Sequence, residues 1–212
     1  MEINQITFNP FQENTFILWD ETKECIIIDP GCYEKNEKEY LSNFIESNNL
    51  KPVKLINTHC HIDHILGNKF VSEKWKIDLY MNKKDLPLLE GAGDIAKMYG
   101  FENYKGSPYP KYFLEEEEVL EFGNSKLGIL FTPGHAPGHI CLFNKEESFI
   151  VSGDVLFNGS IGRTDLPGGD FDTLIESIKT KLMTLQDETI VYCGHGPSTS
   201  IGRERLSNPF LQ

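Results

Sequence analysis

The sequence has no Cys-x-x-Cys pair, no apolar run long enough to cross a membrane, and no basic N-terminal stretch followed by an apolar segment. Its cysteines are odd in number and scattered, so neither a disulfide framework nor a thiolate zinc site is predicted. They are Cys25, Cys32, Cys60, Cys141 and Cys193. Without a targeting or spanning segment, we expect a cytoplasmic protein that is not inserted in a membrane.

Basic residues are scarce: 20 Lys and Arg stand against 32 Asp and Glu, a net charge of -12. This balance argues against a nucleic acid or an anionic membrane as partner. It does not exclude an anionic substrate, because a local metal site can be cationic. The 212 residues contain no linker, repeat or low-complexity tract, so we expect a single domain over residues 1–212. The oligomeric state stays open.

Strand patterns and helical patterns alternate along the chain, which predicts sheets covered by helices in an α/β arrangement. The predicted strands are 3–8, 15–19, 25–29, 53–58, 77–80, 119–122, 126–132, 139–144, 148–152 and 189–193. The predicted helices are 34–47, 65–74 and 171–183.

Residues 87–110 mix glycine, proline and aromatic residues without a clear period. This composition favours a surface loop with a short helix over residues 94–99. We give equal weight to two roles for this segment, a purely structural loop and a wall of the substrate pocket. The acidic run Glu115–Glu118 is interpreted as a solvated turn before a strand.

The most informative segment is His59-Cys60-His61-Ile62-Asp63-His64, which places four metal-ligand side chains in six residues. If the strand before it stays extended past Thr58, His59, His61 and Asp63 share one parity and face the same side, whereas Cys60 points away. His64 approaches from the start of the following helix, so the segment could serve two metals. Histidines that only hydrogen-bond locally are the alternative, but crowded imidazoles repel one another when protonated.

Three further ligand-type residues follow a strand and a glycine: His135 after Gly134, Asp154 after Gly153, and His195 after Gly194. A glycine allows a sharp turn and close approach, so each side chain is expected at the edge of a sheet. Imidazole and carboxylate ligands suit zinc, iron or manganese. His139 lies outside this pattern and is interpreted as a core residue or a residue behind the ligands.

These residues, in this order, resemble the metallo-β-lactamase superfamily. The resemblance rests on Thr58-His59-x-His61-x-Asp63-His64, Gly134-His135, Gly153-Asp154 and Gly194-His195, with Asp29 similar to the family's buried aspartate. It implies a four-layer αβ/βα sandwich, an α/β fold in the broad sense. One metal would be held by His59, His61, His135 and Asp154, and a second by Asp63, His64 and His195, with Asp154 bridging.

Within the superfamily, Thr132-Pro133-Gly134-His135, Gly162-Arg163-Thr164-Asp165 and Asn208-Pro209-Phe210 are similar to the glyoxalase II-like hydrolases. Two departures are present. The chain ends at Gln212 without the C-terminal helical domain that grips glutathione, and Asp165 stands where those enzymes use a tyrosine. Arg163 falls where they place a cationic substrate contact, so it is either an anion contact or a loop-bracing ion pair.

The resemblance implies a metal-dependent hydrolase that cleaves a thioester or related ester by attack of a metal-bound hydroxide. Asp63 would bind metal and orient the nucleophile. The cofactor would be one or two divalent ions, zinc first, with iron or manganese as alternatives. The partner would be a small-molecule thioester or ester, with glutathione among the candidate carriers.

Two rival functions remain. A persulfide dioxygenase, an oxidoreductase, would hold a single iron with His59, His135 and Asp154, and it shares the Gly162-Arg163-Thr164-Asp165 motif. A non-catalytic metal-binding or oligomerisation module is the other. Metal analysis and oxygen uptake with glutathione persulfide discriminate the first rival, and turnover of a thioester discriminates the second.

Overall fold

A computed structural model describes all residues, 1–212, as two compact units. The first unit comprises residues 1–113 and 121–125, and the second comprises residues 114–120 and 126–212. Two six-stranded sheets and a two-stranded hairpin are combined with six α-helices. The mixed helix and strand content predicted from the sequence is confirmed.

The sheet of the first unit has the order β1-β2-β3-β4-β5-β6. The first three strands are antiparallel, and β3 to β6 are parallel. The strand β2 is buried along its whole length, as a strand covered on both faces must be. The strands are β1 Glu2–Phe8, β2 Glu13–Trp19, β3 Glu24–Ile28, β4 Lys51–Ile56, β5 Leu79–Met81 and β6 Tyr112–Phe113.

The first unit has four α-helices: α1 Lys35–Ser47, α2 Ile62–Ile65, α3 Asn68–Trp75 and α4 Leu86–Met98. The predicted helix 34–47 is confirmed, with Glu34 as its N-cap in a capping box with Glu37. The predicted helix 65–74 is in fact two helices, and the chain is helical already at Ile62.

The prediction of a loop over most of residues 87–110 was wrong for its first half. The helix α4 runs over 13 residues, and its apolar side is buried at Leu89, Ala92 and Ala96. Pro87 lies in the first turn, where its missing N–H costs nothing. Residues 99–111 are irregular, as predicted.

The second sheet has the order β14-β13-β10-β9-β8-β7, and β10 pairs with β13 in parallel. It belongs to the second unit except for residues 121–125, the tip of the β7–β8 hairpin. Its central strand β10 is fully buried. The strands of this half are β7 Val119–Phe122, β8 Ser125–Phe131, β9 Ile140–Asn144, β10 Phe149–Gly153, β11 Leu156–Phe157, β12 Ser160–Ile161, β13 Ile190–Cys193 and β14 Thr199–Ser200.

Two α-helices complete the second unit, α5 Phe171–Ser177 and α6 Ile201–Ser207. The predicted helix 171–183 is α5 continued by a π-helical turn, Ile178–Leu182. The acidic run is a turn before β7, as predicted. Sequence patterns missed α6 and the short strands β6, β11, β12 and β14. None of the helices has the length and apolar character needed to cross a membrane.

Candidate metal centre

The first ligand set consists of His59, His61, Asp63 and His64, all in the first unit. Strand β4 ends at Ile56, before the point that was predicted, and α2 begins at Ile62. Asp63 therefore reaches the set from a helix and not from an extended strand. The ring centroids of His59 and His61 are 4.8 Å apart, and those of His59 and His64 are 4.2 Å apart. The Nε2 atom of His64 lies 3.6 Å from Asp63 Oδ2. The predicted convergence of these four side chains is found.

Asp29 supports this set from the end of β3, in a left-handed conformation with φ 47°. Its Oδ1 accepts a hydrogen bond from the Thr58 N–H at 2.7 Å, and its Oδ2 accepts one from Thr58 Oγ1 at 2.5 Å. The same Oδ2 lies 3.2 Å from His64 Nδ1. A proton on Nδ1 would donate to this carboxylate and leave the Nε2 lone pair for a cation, the arrangement usual behind metal-bound histidines.

Two residues behind the first set were missed by the sequence analysis. Asn9 Nδ2 donates to the backbone oxygen of Asp63 at 3.0 Å, in the turn before β2. Glu13 is fully buried at the start of β2, and its Oε1 lies 3.9 Å from His64 Nδ1. Burial raises the pKa of Glu13 well above its usual value, with Asp29 and Asp63 adding to the rise and His64 opposing it. The signal in the sequence was an acidic residue just before the strand predicted over residues 15–19.

The second ligand set consists of His135, Asp154 and His195, all in the second unit. His135 Nε2 lies 3.5 Å from Asp154 Oδ2, and His195 Nε2 lies 3.4 Å from the same oxygen. Gly134 precedes the first of these ligands with φ 128°. A Cβ atom at Gly134 would lie 2.3 Å from the backbone nitrogen of Leu174, so only glycine fits. The predicted strand, glycine and ligand pattern does bring these three side chains together.

The second set is oriented by uncharged groups. His135 Nδ1 lies 2.7 Å from the backbone oxygen of Arg163, which can only accept, so Nδ1 carries the proton and Nε2 faces Asp154. His139 is fully buried, and its Nε2 accepts a hydrogen bond from the backbone N–H of Asp154 at 3.0 Å. His139 therefore positions Asp154 from behind, as its interpretation from the sequence required.

Arg163 forms a bidentate ion pair with Asp165, through Nε and Nη2 at 2.7 Å each. The two side chains are 58% and 68% exposed, so solvent screens the pair strongly. The hydrogen bonds from Arg163 lower the pKa of Asp165 to about 2. The loop-bracing ion pair is one of the two roles that the sequence left open for Arg163.

The donor chemistry of both sets fits a divalent cation. Each set combines imidazole nitrogens with at least one carboxylate, which is the ligand type of zinc, iron and manganese sites. In each set one imidazole has Nδ1 against an oxygen acceptor, which leaves Nε2 for a metal. Cys60 is not such a donor, because it is 2% exposed and burial raises the pKa of its thiol well above the usual value.

Comparisons with known proteins agree with this donor chemistry. A family model described as the metallo-beta-lactamase superfamily matches residues 8–195. The hydroxyacylglutathione hydrolase GloC of Haemophilus influenzae is 40% identical over 212 residues, covering 100% of this chain and 98% of GloC. Two solved structures are similar over nearly the whole chain. BLEG-1, a B3 metallo-beta-lactamase, has a TM-score of 0.91 at 36% identity, with 100% of both chains covered. TTHA1623 in a di-iron-bound form has a TM-score of 0.88 at 37% identity, with 98% of this chain and 100% of that chain covered.

Proposed function

The chain belongs to the metallo-β-lactamase superfamily and is a metal-dependent hydrolase of that superfamily, and within it we propose a thioesterase of the glyoxalase II type. The fold class that the resemblance implied is confirmed. The relationship to GloC over full length supports a small-molecule substrate, and we propose a thioester, with a glutathione thioester as the first candidate. A single domain over residues 1–212 is part of the proposal, because the family match spans both compact units.

We further propose the ligand assignment that the resemblance implies. His59, His61, His135 and Asp154 would hold one ion, and Asp63, His64, His195 and the same Asp154 would hold another. One observation carries this assignment. A single oxygen of Asp154 lies 3.5 Å from the Nε2 atom of one ligand of the first ion and 3.4 Å from that of one ligand of the second. A bridging carboxylate requires such a position.

Divalent ions are supported by the donor set, and zinc is the ion that we propose. The di-iron-bound form of TTHA1623 makes iron the alternative to test. When bound, such an ion supplies a Lewis acid that polarises a carbonyl oxygen and lowers the pKa of a coordinated water.

In this proposal, residues of the chain orient the attacking water and set the net charge of the site. Asp63 orients the attacking water through its carboxylate, while Asn9 holds the backbone oxygen of Asp63. With two divalent ions bound, the carboxylates of Asp63 and Asp154 would offset two of the four positive charges and leave the site cationic. Such a site would stabilise the oxyanion and the thiolate that form when a thioester is cleaved.

Arg163 is proposed as a contact for an anionic part of the substrate, in exchange for its ion pair with Asp165. We also propose a cytoplasmic location. All five cysteines are buried free thiols, the state that a reducing compartment maintains.

The proposal is tested by hydrolysis of lactoylglutathione, followed by thiol release, on protein whose metals have been counted by element-resolved analysis. We expect zinc in the purified protein, turnover of the thioester, and a loss of about 10²-fold or more in kcat for Asp63→Ala with the fold intact by circular dichroism. Absence of turnover in the metal-loaded protein would refute the proposed thioesterase activity. Bound iron together with oxygen consumption in the presence of glutathione persulfide would instead indicate a persulfide dioxygenase.

A further inference from the structure

Residues 57–61, the ligand loop, join β4 to α2 and contain His59 and His61. The backbone of this loop belongs to no strand or helix, and only Asn57, whose N–H donates to the backbone oxygen of Tyr80 at 2.9 Å, extends the ladder with β5. Its conformation depends on hydrogen bonds from neighbouring elements, because buried backbone groups must find partners. The sources of those hydrogen bonds show what sets the spacing of the two histidines.

Two buried carboxylates hold the loop from opposite neighbours of β4. On the side of β3, Asp29 accepts from the Thr58 N–H at 2.7 Å. On the side of β5, Asp85 Oδ2 accepts from the Cys60 N–H at 2.8 Å. Strands β3, β4 and β5 are adjacent and parallel, so their carboxyl ends lie at the same sheet edge.

Asp85 ends the 3₁₀ turn Lys83–Asp85 that follows β5, and it is 1% exposed. Burial of a carboxylate is costly unless its oxygens are hydrogen-bonded. No sequence pattern selects this residue, because it lies 21 positions beyond His64 and outside every predicted strand and helix.

Cys60 is the point at which the loop is fixed. Its N–H is held by Asp85, and its Sγ lies 3.7 Å from the sulfur of Met81, which is fully buried at the end of β5. Cys60 is thus anchored to the core by both backbone and side chain, and the rings of the flanking residues His59 and His61 have centroids 4.8 Å apart.

We propose that Asp85 is a positioning residue for the metal ligands His59 and His61, acting through the backbone N–H of Cys60. The inference rests on the proposed metal-binding role of those histidines. Without Asp85, the Cys60 N–H loses its acceptor and the loop gains freedom, so the two imidazoles are no longer held at ligand spacing.

The experiment measures Zn²⁺ affinity by competition with a chromophoric chelator, on the full chain and without substrate. Asp85→Ala is expected to weaken Zn²⁺ binding by roughly 10–100-fold, the usual effect of losing a residue behind the ligands. Asp85→Asn keeps a side-chain oxygen that accepts from the Cys60 N–H, so it is expected to bind Zn²⁺ within about fivefold of the wild type. The visible spectrum of the Co²⁺-substituted protein should change in the alanine variant and stay unchanged in the asparagine variant.

Asp20 provides a matched control in the same unit. It is 5% exposed, and its carboxylate accepts from the backbone N–H groups of Thr22 at 2.9 Å and Asn124 at 2.7 Å, neither of which is a candidate ligand. Asp20→Ala should lower stability and leave Zn²⁺ affinity unchanged. Amide hydrogen exchange of Cys60 in the metal-free protein should be fast in Asp85→Ala and slow in Asp85→Asn and Asp20→Ala.

Wild-type Zn²⁺ affinity in Asp85→Ala would overturn the proposal, and so would an equal loss in Asp85→Asn, since that would assign the effect to charge. If Asp85→Ala does not fold, Asp85→Ser replaces it, because a serine hydroxyl is too short to reach Cys60. If the protein does not hydrolyse thioesters, the test of Asp85 still stands, because Zn²⁺ affinity is measured without substrate.

Discussion

The two candidate ligand sets are built in different ways. The first set places four ligands in six residues, and buried carboxylates of other segments hold its backbone, as Asp29 does at Thr58 and Asp85 does at Cys60. The second set takes His135, Asp154 and His195 from three separate strand ends. There the supporting groups are a glycine turn, a backbone oxygen and a neutral imidazole.

This difference has a physical consequence. A loop outside regular structure needs acceptors from elsewhere, and a carboxylate is the strongest acceptor that a side chain offers. A ligand that directly follows a buried strand is already oriented by the sheet, so a turn of the right shape is sufficient. We therefore expect the first set to be sensitive to loss of its buried acceptors, and to loss of charge where a carboxylate faces a ligand ring, as Asp29 faces His64. The second set should be sensitive to changes of backbone shape.

The largest effect on stability is expected for Gly134→Ala in the second unit. The new methyl group would lie 2.3 Å from the backbone of Leu174 at a φ of 128°, so the turn before His135 must shift. We expect a loss of at least about 3 kcal/mol in unfolding free energy, measured by urea denaturation. Gly159→Ala is the control, because its φ is 74° but a Cβ there meets nothing within 4 Å. Equal losses in both variants would show that backbone strain, and not the close contact, sets the effect.

The next effect is expected for Asp29→Asn in the first unit. The amide can still accept from the Thr58 N–H, but its NH₂ group replaces the oxygen that lies 3.2 Å from His64 Nδ1. We expect a stability loss of about 2 kcal/mol and Zn²⁺ binding that is weaker by roughly 10–100-fold. Asp85→Asn is the comparison, because Asp85 holds a backbone group and not a ligand ring. Unchanged Zn²⁺ affinity in Asp29→Asn would mean that charge does not distinguish the two sets.

A smaller and pH-dependent effect is expected for Asp20→Asn. Burial alone would raise the pKa of Asp20, but hydrogen bonds from Thr22, Ser125 and Asn124 outweigh burial and lower the pKa to about 2. A lowered pKa gives stability that is present above the unfolded value of about 3.9 and is lost as the pH falls toward 2. We expect the variant to lose about 1–2 kcal/mol at pH 7 and to show a shallower decline between pH 4 and 2 in urea titrations. Parallel stability curves of the variant and the wild type would contradict this account.

The smallest effect on stability is expected for Arg163→Ala. Its ion pair with Asp165 is exposed, and such pairs contribute little, so the melting temperature should not change measurably. If the guanidinium contacts an anionic substrate, the KM for lactoylglutathione should rise about fivefold with kcat unchanged. Arg203→Ala removes another exposed arginine and should leave both constants unchanged. An unchanged KM in Arg163→Ala would assign Arg163 to loop bracing alone.

Prediction from sequence succeeded where the signal was local. The six-residue segment His59–His64 and the three glycine-ligand pairs depend on short spacings, and strand ends deliver such residues to a sheet edge in any arrangement of the sheets. The prediction failed at α4, where Gly91 and Gly93 lower helix propensity, yet burial of Leu89, Ala92 and Ala96 stabilises the helix. The groups behind the ligands were missed for a related reason, because Asn9, Glu13 and Asp85 meet the His59–His64 segment only across long stretches of chain.

The sequence by itself determined which side chains can bind a metal, since ligand type and spacing are properties of a few neighbouring residues. Only the tertiary structure decided how those side chains are held. Strand pairing brings three groups to the ligands or to the backbone between them: the carboxylate of Asp85, 21 positions beyond His64, the backbone oxygen of Arg163 and the imidazole of His139. Strand pairing depends on the burial of apolar faces over the whole sheet, and no short window of sequence contains that information.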